Sequence, residues 1–279
     1  VLVRPSEVLN WGAPRLRDLP WRRTRDPWAV LVSEVMLQQT QSARVVPKWL
    51  AFMDAFPTPA QCAAAPLGDV LRLWQGLGYP RRARNLHDAA GMVHAAGSFP
   101  RSYVDLRALP GVGPYTARAV MAFAYEDDAA VVDTNIARVY ARFAGRSLRA
   151  KEVQALADEA LPPGRSWEWN QCLMDLGAVL CRPTSPACSD CPLVGSCAWH
   201  GAGPDPAVGS AGVSRVQARF DGSDRQARGR LLRALSDHPL RLEDAPAVMQ
   251  RATVDARRLV QSLVVDGLCI VEGDRIRLP

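Results

Sequence analysis

Two isolated carboxylates and one group of four cysteines stand out in this sequence as side chains placed for chemistry. Glu34 is the single charge within Val30-Leu-Val-Ser-Glu-Val-Met-Leu37, and its neighbours at helical spacing are Val30, Leu31 and Leu37. A carboxyl on such an apolar face loses hydration, which raises its pKa and suits it to general-acid work near neutral pH. Taken alone, the residue fits a structural glutamate with a buried partner better than a general acid. Asp133 lies in Val131-Val-Asp-Thr-Asn135, downstream of Leu109-Pro-Gly-Val-Gly-Pro-Tyr-Thr-Ala117. In that earlier stretch Gly111 and Gly113 predict a tight turn between helices over 102–109 and 114–124, because positive φ and close backbone approach both exclude a Cβ. Pro114 suits the first position of the second helix, where its missing N–H costs nothing. The free N–H groups of such a turn, backed by a helix dipole, can hold a phosphate. The same hairpin also serves as a plain helix–helix connection.

The four cysteines are spaced Cys181-x6-Cys188-x2-Cys191-x5-Cys197, and Cys62, Cys172 and Cys269 are scattered. An odd total of seven, with no secretory signal in view, points to a reducing cytoplasm, where a cluster of this kind binds metal. A tetrahedral zinc site is one occupant that four thiolates can hold.

The elements that must position these groups follow from local pattern. Asp26 caps a helix with Pro27 at its first position, and that helix carries Glu34. Amphipathic helices are predicted over 58–64 and 67–77. Trp74-Gln-Gly-Leu-Gly-Tyr79 then leads into Pro80-Arg-Arg-Ala-Arg-Asn85, an aromatic beside a glycine turn with three arginines, which suits stacking plus phosphate contact. Residues 151–180 read as helices closing a first domain. A stretch rich in Gly, Ala, Pro and Ser over 201–214 reads as a linker. Beyond it, helices over 224–235, 242–249 and 253–265 precede a hairpin of 268–271 with 275–278, the pattern of a winged helix. The net charge of +6, almost all from arginine, favours a polyanionic partner. No apolar run is long enough to span a bilayer.

Leu109-Pro-Gly-Val-Gly113 followed by Val132-Asp133 resembles the helix–hairpin–helix DNA glycosylases of the endonuclease III superfamily. Ser33-Glu-Val-Met-Leu-Gln-Gln-Thr-Gln41 closely resembles the adenine glycosylases of the MutY family within it. The likeness covers residues 19–200. It implies a mainly α fold of two helical subdomains over 1–200 with a cysteine-cluster loop over 181–197; the helix and hairpin pattern beyond the linker, outside the likeness, adds a C-terminal winged-helix-like α+β module over 215–279. It further implies that Glu34 protonates the adenine ring and then helps activate water. Gln39 and Thr40 would lie at the lesion, with the glutamine wedged into the base stack. Arg22 would sit near the adenine pocket, Leu77 and Tyr79 against an oxidised guanine, and Gln171 on adenine. Gly111 and Gly113 would grip the DNA backbone. Asp133 would stabilise the cationic sugar, Asn135 would orient water and the acid, and Tyr115 would position these groups. The two acids are thereby expected to meet at one extruded nucleotide in opposite protonation states.

Bifunctional lyases of the superfamily carry a lysine two residues after the second glycine. Here that position is Tyr115, and the chain's two lysines, Lys48 and Lys151, lie away from every motif, so hydrolysis by water is the expected chemistry. The x6-x2-x5 cysteine spacing is the one the superfamily uses for a [4Fe–4S] cluster, which favours that group over zinc. Two departures are Pro80, where most bacterial relatives have a second tyrosine, and Thr134, where glycine is common. The tail shows no trace of the Nudix-like domain that recognises 8-oxoguanine in typical relatives. The expected partner is double-stranded DNA containing adenine mispaired with 8-oxoguanine or guanine, and the expected protein is a monomer of the bacterial cytoplasm, associated with the nucleoid. Two alternatives are a thymine mismatch glycosylase, whose members tend to have arginines where Gln38 and Gln39 stand, and a non-catalytic winged-helix regulator that uses the cluster as a sensor.

Overall fold

The structure, a computed structural model, describes residues 3–213 and 219–279. Val1, Leu2, Ser214 at the end of the expected linker and residues 215–218 at the start of the expected C-terminal module lie outside the described residues. Among the described residues the fold is mainly helical, as expected. In chain order the helices are α1 Pro5–Gly12, α2 Pro27–Leu37, α3 Ser42–Ala55, α4 Pro59–Ala64, α5 Leu67–Leu73, α6 Arg81–Ala96, α7 Tyr103–Ala108, α8 Pro114–Ala124, α9 Thr134–Ala144, α10 Ala150–Ala160, α11 Ser166–Val179, α12 Asp224–Asp237, α13 Ala245–Met249 and α14 Thr253–Val265. Three short strands follow the same numbering: β1 Leu240–Arg241, β2 Ile270–Glu272 and β3 Arg275–Arg277. No helix among the described residues is long and apolar enough to cross a membrane. The chain divides into two compact units, one of Val1–Val30, Arg101–Arg107 and Val112–Val216, the other of Leu31–Pro100, Ala108–Gly111 and Gln217–Pro279.

The first unit is built on α9. Asp133 caps it by accepting from the Ile136 N–H, and Gly145 ends it at φ +67°. Every residue from Ile136 to Phe143 is buried, so α9 is a central helix, packed with Trp169, Leu173 and Leu176 of α11 and with Val8 and Leu9 of α1 in one apolar core. The stretch containing α1 carries no element in the sequence prediction. Its close packing on α11 depends on Gly12, where a Cβ would lie 2.5 Å from the Cys172 sulfur. The expected linker over 201–213 runs as turns fastened to this unit: Asp205 pairs with Arg142, and the Ala211 N–H donates to the Leu148 carbonyl at 2.9 Å.

In the second unit α4 packs on α6, and Phe52 of α3 meets Phe56 and Trp74 edge-on at 5.2 and 6.3 Å between ring centres. The helix expected over 67–77 stops at Leu73. The physical reason is a run of left-handed residues, Gly76, Gly78 and Tyr79 at φ +90°, +73° and +49°, closed by the Trp74 indole donating to the Gly78 carbonyl at 3.1 Å. The tail forms α12, α13 and α14 with an antiparallel sheet in the order β1-β3-β2, Ile276 pairing with both Leu240 and Val271. The hairpin was expected and β1 was not. This tail is anchored to α5 and α6. The Gly68 N–H donates to the Pro279 carbonyl at 2.9 Å, and Asp266 pairs with Arg81 and Arg228.

Candidate active site

Glu34 sits in the last third of α2. That helix starts where predicted: Asp26 accepts from the Trp28 N–H at 3.1 Å, and Pro27 takes the first position. The expected apolar face extends around the helix, since every residue from Trp28 to Met36 is buried and Glu34 itself is 4 % exposed. A helix apolar all round is an interior helix. A carboxyl built into one gives up its hydration.

The turn after α2 carries Gln38, Gln39 and Thr40. Gln39 is exposed at φ +55°. Arg82, 9 % exposed, holds this turn against the glycine turn that follows α5. Its guanidinium donates to the carbonyls of Val35 (2.9 Å), Met36 (3.1 Å), Leu77 (2.9 Å) and Gly78 (2.9 Å), as well as to that of Gln38. Burial pushes Arg82 down to about 10, which leaves it protonated at neutral pH. Thr40 Oγ1 donates to the Leu77 carbonyl at 3.3 Å, so the expected lesion residues Thr40, Leu77 and Tyr79 share one rigid frame.

Asp133 combines two tasks. One carboxylate oxygen accepts from the Ile136 N–H at 2.7 Å, and the other accepts from the Asn135 amide at 2.9 Å. Arg138 in turn donates to Asn135 Oδ1 at 2.8 Å and to the carbonyls of Gly177 at 2.6 Å and Cys181 at 2.7 Å. Burial raises the Asp133 carboxyl above its ordinary value, while the Ile136 N–H, Asn135 and Arg138 pull it back. Asn135 is pressed against α11 at Gly177, where a Cβ would come within 2.7 Å of the Asn135 Cβ. Gln171 is buried on α11, and Tyr115 is half-buried in the first turn of α8.

The hairpin forms between α7 and α8 as its glycines predict, but the two glycines differ. Gly111 has φ +76°, and a Cβ there would lie 2.9 Å from the Asn85 Cβ, so the fold itself demands glycine. Gly113 is extended at φ −85° with nothing within 4 Å of a Cβ. The expectation that conformation requires both glycines is therefore corrected for Gly113.

Cys181, Cys188, Cys191 and Cys197 line one cavity, walled by Leu180, Pro186, Ala187 and Val194. All four are free thiols. Arg142 donates to the Cys181 sulfur and the His200 N–H to the Cys197 sulfur, each at 3.4 Å. Four cysteine sulfurs lining one cavity, two of them accepting N–H donors, fit an iron–sulfur cluster. Among the described residues no three His, Cys, Asp or Glu side chains gather closely enough for a single metal ion. Arg142 also pairs with Asp205 and donates to the Arg182 carbonyl at 2.7 Å, tying the loop to α9. The remaining cysteines are buried thiols; burial pushes Cys62 and Cys172 up to about 12 and Cys269 to about 11.

Several residues expected to contact DNA have protein surroundings that the sequence did not show. Arg22, 8 % exposed, is committed to Asp175 through two bonds of 2.8 Å, which makes it part of a buried ion pair. Burial disfavours the Asp175 anion, yet Arg22 and Arg17 together hold its carboxyl below the usual range. Leu77, 3 % exposed, has its side chain inside the second unit, so it is a core residue of the turn. Of the three arginines expected on phosphate, Arg82 is the internal brace just described, Arg81 pairs with Asp266, and Arg84 donates to the Asp266 carbonyl at 2.5 Å. The sequence prediction also missed Arg138 and Arg142. Their available signal was two arginines four apart within the otherwise apolar run Ile136-Ala-Arg-Val-Tyr-Ala-Arg-Phe143.

Residues 32–165 match the HhH-GPD superfamily of base excision DNA repair proteins. An adenine DNA glycosylase of Mycolicibacterium smegmatis is 40 % identical over 275 residues, covering 95 % of this chain and 92 % of that protein. Among solved structures, a thermostable thymine-DNA glycosylase superposes with a TM-score of 0.67 at 31 % identity, covering 70 % of this chain and 94 % of that one. A trapped endonuclease III–DNA covalent intermediate superposes with a TM-score of 0.62 at 26 % identity, covering 71 % and 98 %. The chain belongs to the adenine DNA glycosylases, within the HhH-GPD superfamily of base excision DNA repair proteins.

Proposed function

We propose that this protein is a monofunctional DNA glycosylase that hydrolyses the N-glycosidic bond of adenine mispaired with 8-oxoguanine or guanine in double-stranded DNA. The observation that carries this is Glu34, the single charged side chain in the buried stretch 28–36 of α2. Glu34 donates a proton to the adenine ring, so that the base leaves as a neutral molecule; a placed general acid contributes about 10²–10⁴-fold. The bond from sugar carbon to base nitrogen breaks, and the electron pair goes to the base. Asp133, ionised and held by Ile136 and Asn135, stabilises the oxocarbenium-like sugar. Water oriented by Asn135 and Tyr115 adds to the sugar carbon and returns its proton to Glu34, leaving an abasic site and free adenine. Tyr115 stands where a lyase needs an amine, which supports hydrolysis.

Extruding the base costs roughly a few kcal/mol. Gln39 and Tyr79 hold the distorted stack, and Gly111 and Gly113 present the hairpin N–H groups to the backbone. Thr40 braces the turn, and Gln171 contacts adenine. Cys181, Cys188, Cys191 and Cys197 would hold a [4Fe–4S] cluster, which shapes the loop they belong to. We read 219–279 as an appended winged-helix-like module of a monomer that works with DNA in a reducing bacterial cytoplasm.

A base-release panel tests this reading, with adenine and thymine each opposite guanine and 8-oxoguanine. Adenine release lost in Glu34→Gln, with duplex binding kept, is the expected result. Release of thymine alone would transfer the protein to the thymine-DNA glycosylase activity named for a structural neighbour. Unchanged release by Glu34→Gln would remove Glu34 from the chemistry.

A further inference from the structure

Five side chains of the second unit alternate aromatic and cationic: Trp74, Arg82, Tyr79, Arg225 and Phe220. The Arg82 guanidinium carbon lies 5.5 Å from the Trp74 ring centre and 5.4 Å from that of Tyr79. The Arg225 guanidinium carbon lies 5.7 Å from the Tyr79 ring centre and 5.2 Å from that of Phe220. Arg225 Nη1 also donates to the Tyr79 hydroxyl at 3.0 Å. The inner end of this stack is fixed, since Trp74 is buried and Arg82 is bound to the carbonyls of two turns. The outer end is open, with Phe220 50 % exposed.

Tyr79 needs such holding. It takes φ +49°, rare for a bulky side chain, between Gly78 and a proline that fixes the next φ. The two guanidiniums flank its ring, and Arg225 also holds its hydroxyl. Arg225 is itself fixed, in the first turn of α12, where Ser223 caps the helix and Ala227 and Leu231 are buried.

We propose that Arg225 is a positioning residue: it sets the ring of Tyr79, and through this contact the C-terminal module tunes discrimination of the base opposite the target adenine. The inference rests on the proposed placement of Tyr79 in the mispaired stack. It gives the tail a defined duty, which the docking of α12 and α14 on α5 and α6 makes mechanically possible.

The test is a double-mutant cycle in the full-length chain carrying Glu34→Gln, read as duplex Kd for adenine opposite 8-oxoguanine and opposite guanine. Arg225→Ala should weaken the 8-oxoguanine duplex about tenfold, in the range of contacting residues, and shrink the preference over guanine. Arg225→Lys should restore part of it, and in a Tyr79→Leu background Arg225→Ala should have no further effect. Full additivity of the two substitutions, an equal weakening of both duplexes, or a lower melting temperature with the preference intact would each overturn the proposal. Failure of the parent chain to release adenine would instead sink the functional reading, and it would leave this binding cycle readable.

Discussion

Replacing Asn135 by alanine asks whether the start of α9 sets the ionisation of Asp133. The substitution keeps the Cβ packed at Gly177 and removes the amide, which donates to Asp133 at 2.9 Å and accepts from Arg138 at 2.8 Å. A hydrogen bond to a charged group contributes about 1.5–3 kcal/mol. The lower figure applies here, because water can reach a half-buried carboxylate. At about 1.36 kcal/mol per tenfold, its loss disfavours the ionised form of Asp133 by about tenfold, which moves the pKa upward. The sign follows from the chemistry: the ionised form works, burial already raises this carboxyl, and the variant raises it further. Activity should therefore fall away at higher pH on the acid side, with the deficit approaching about tenfold below both pKa values and fading toward neutrality. Any loss from misoriented water adds a uniform drop at every pH. The assay is single-turnover adenine release from an 8-oxoguanine duplex between pH 4.5 and 8.5. Asp133→Asn is the control, since asparagine caps a helix as well as aspartate and removes only the charge. An acid limb that stays in place in Asn135→Ala, or moves to lower pH, would refute the coupling.

The two hairpin glycines should separate cleanly. Gly111→Ala should destabilise the protein by about 1–2 kcal/mol, the strain of a left-handed non-glycine residue. Gly113→Ala should leave stability within about 0.5 kcal/mol and weaken duplex binding; equal thermal losses in both variants would contradict this. Arg82→Met should lower stability by more than about 3 kcal/mol in urea unfolding, since it orphans several buried carbonyls. A loss within 1 kcal/mol would show that the two turns hold without the brace. Anaerobically purified protein should contain iron and acid-labile sulfide in equal amounts, both lost in Cys191→Ser, and one zinc per chain would dismiss the cluster.

Local features of this protein were legible in its sequence. Asp26-Pro27 and Gly113-Pro114 mark the starts of α2 and α8, and α14 runs over the predicted 253–265. Glu34, Asp133 and the four cysteines could be singled out because each stands against its immediate neighbours in charge or spacing. Caps, prolines, left-handed glycines and helical periodicity act over a few residues, so the chain carries them wherever it folds. Partners far apart in the chain were not legible. Arg22 meets Asp175 across 153 residues, Arg84 meets the Asp266 carbonyl across 182, and Arg225 reaches Tyr79 across 146. An arginine beside a glycine turn looks the same in sequence whether it faces phosphate or braces two turns, as Arg82 does. Two-residue β1 exists only because β3 lies beside it. Which helices pack together decides whether a guanidinium is buried, paired or open to solvent, and that choice is made by the tertiary structure.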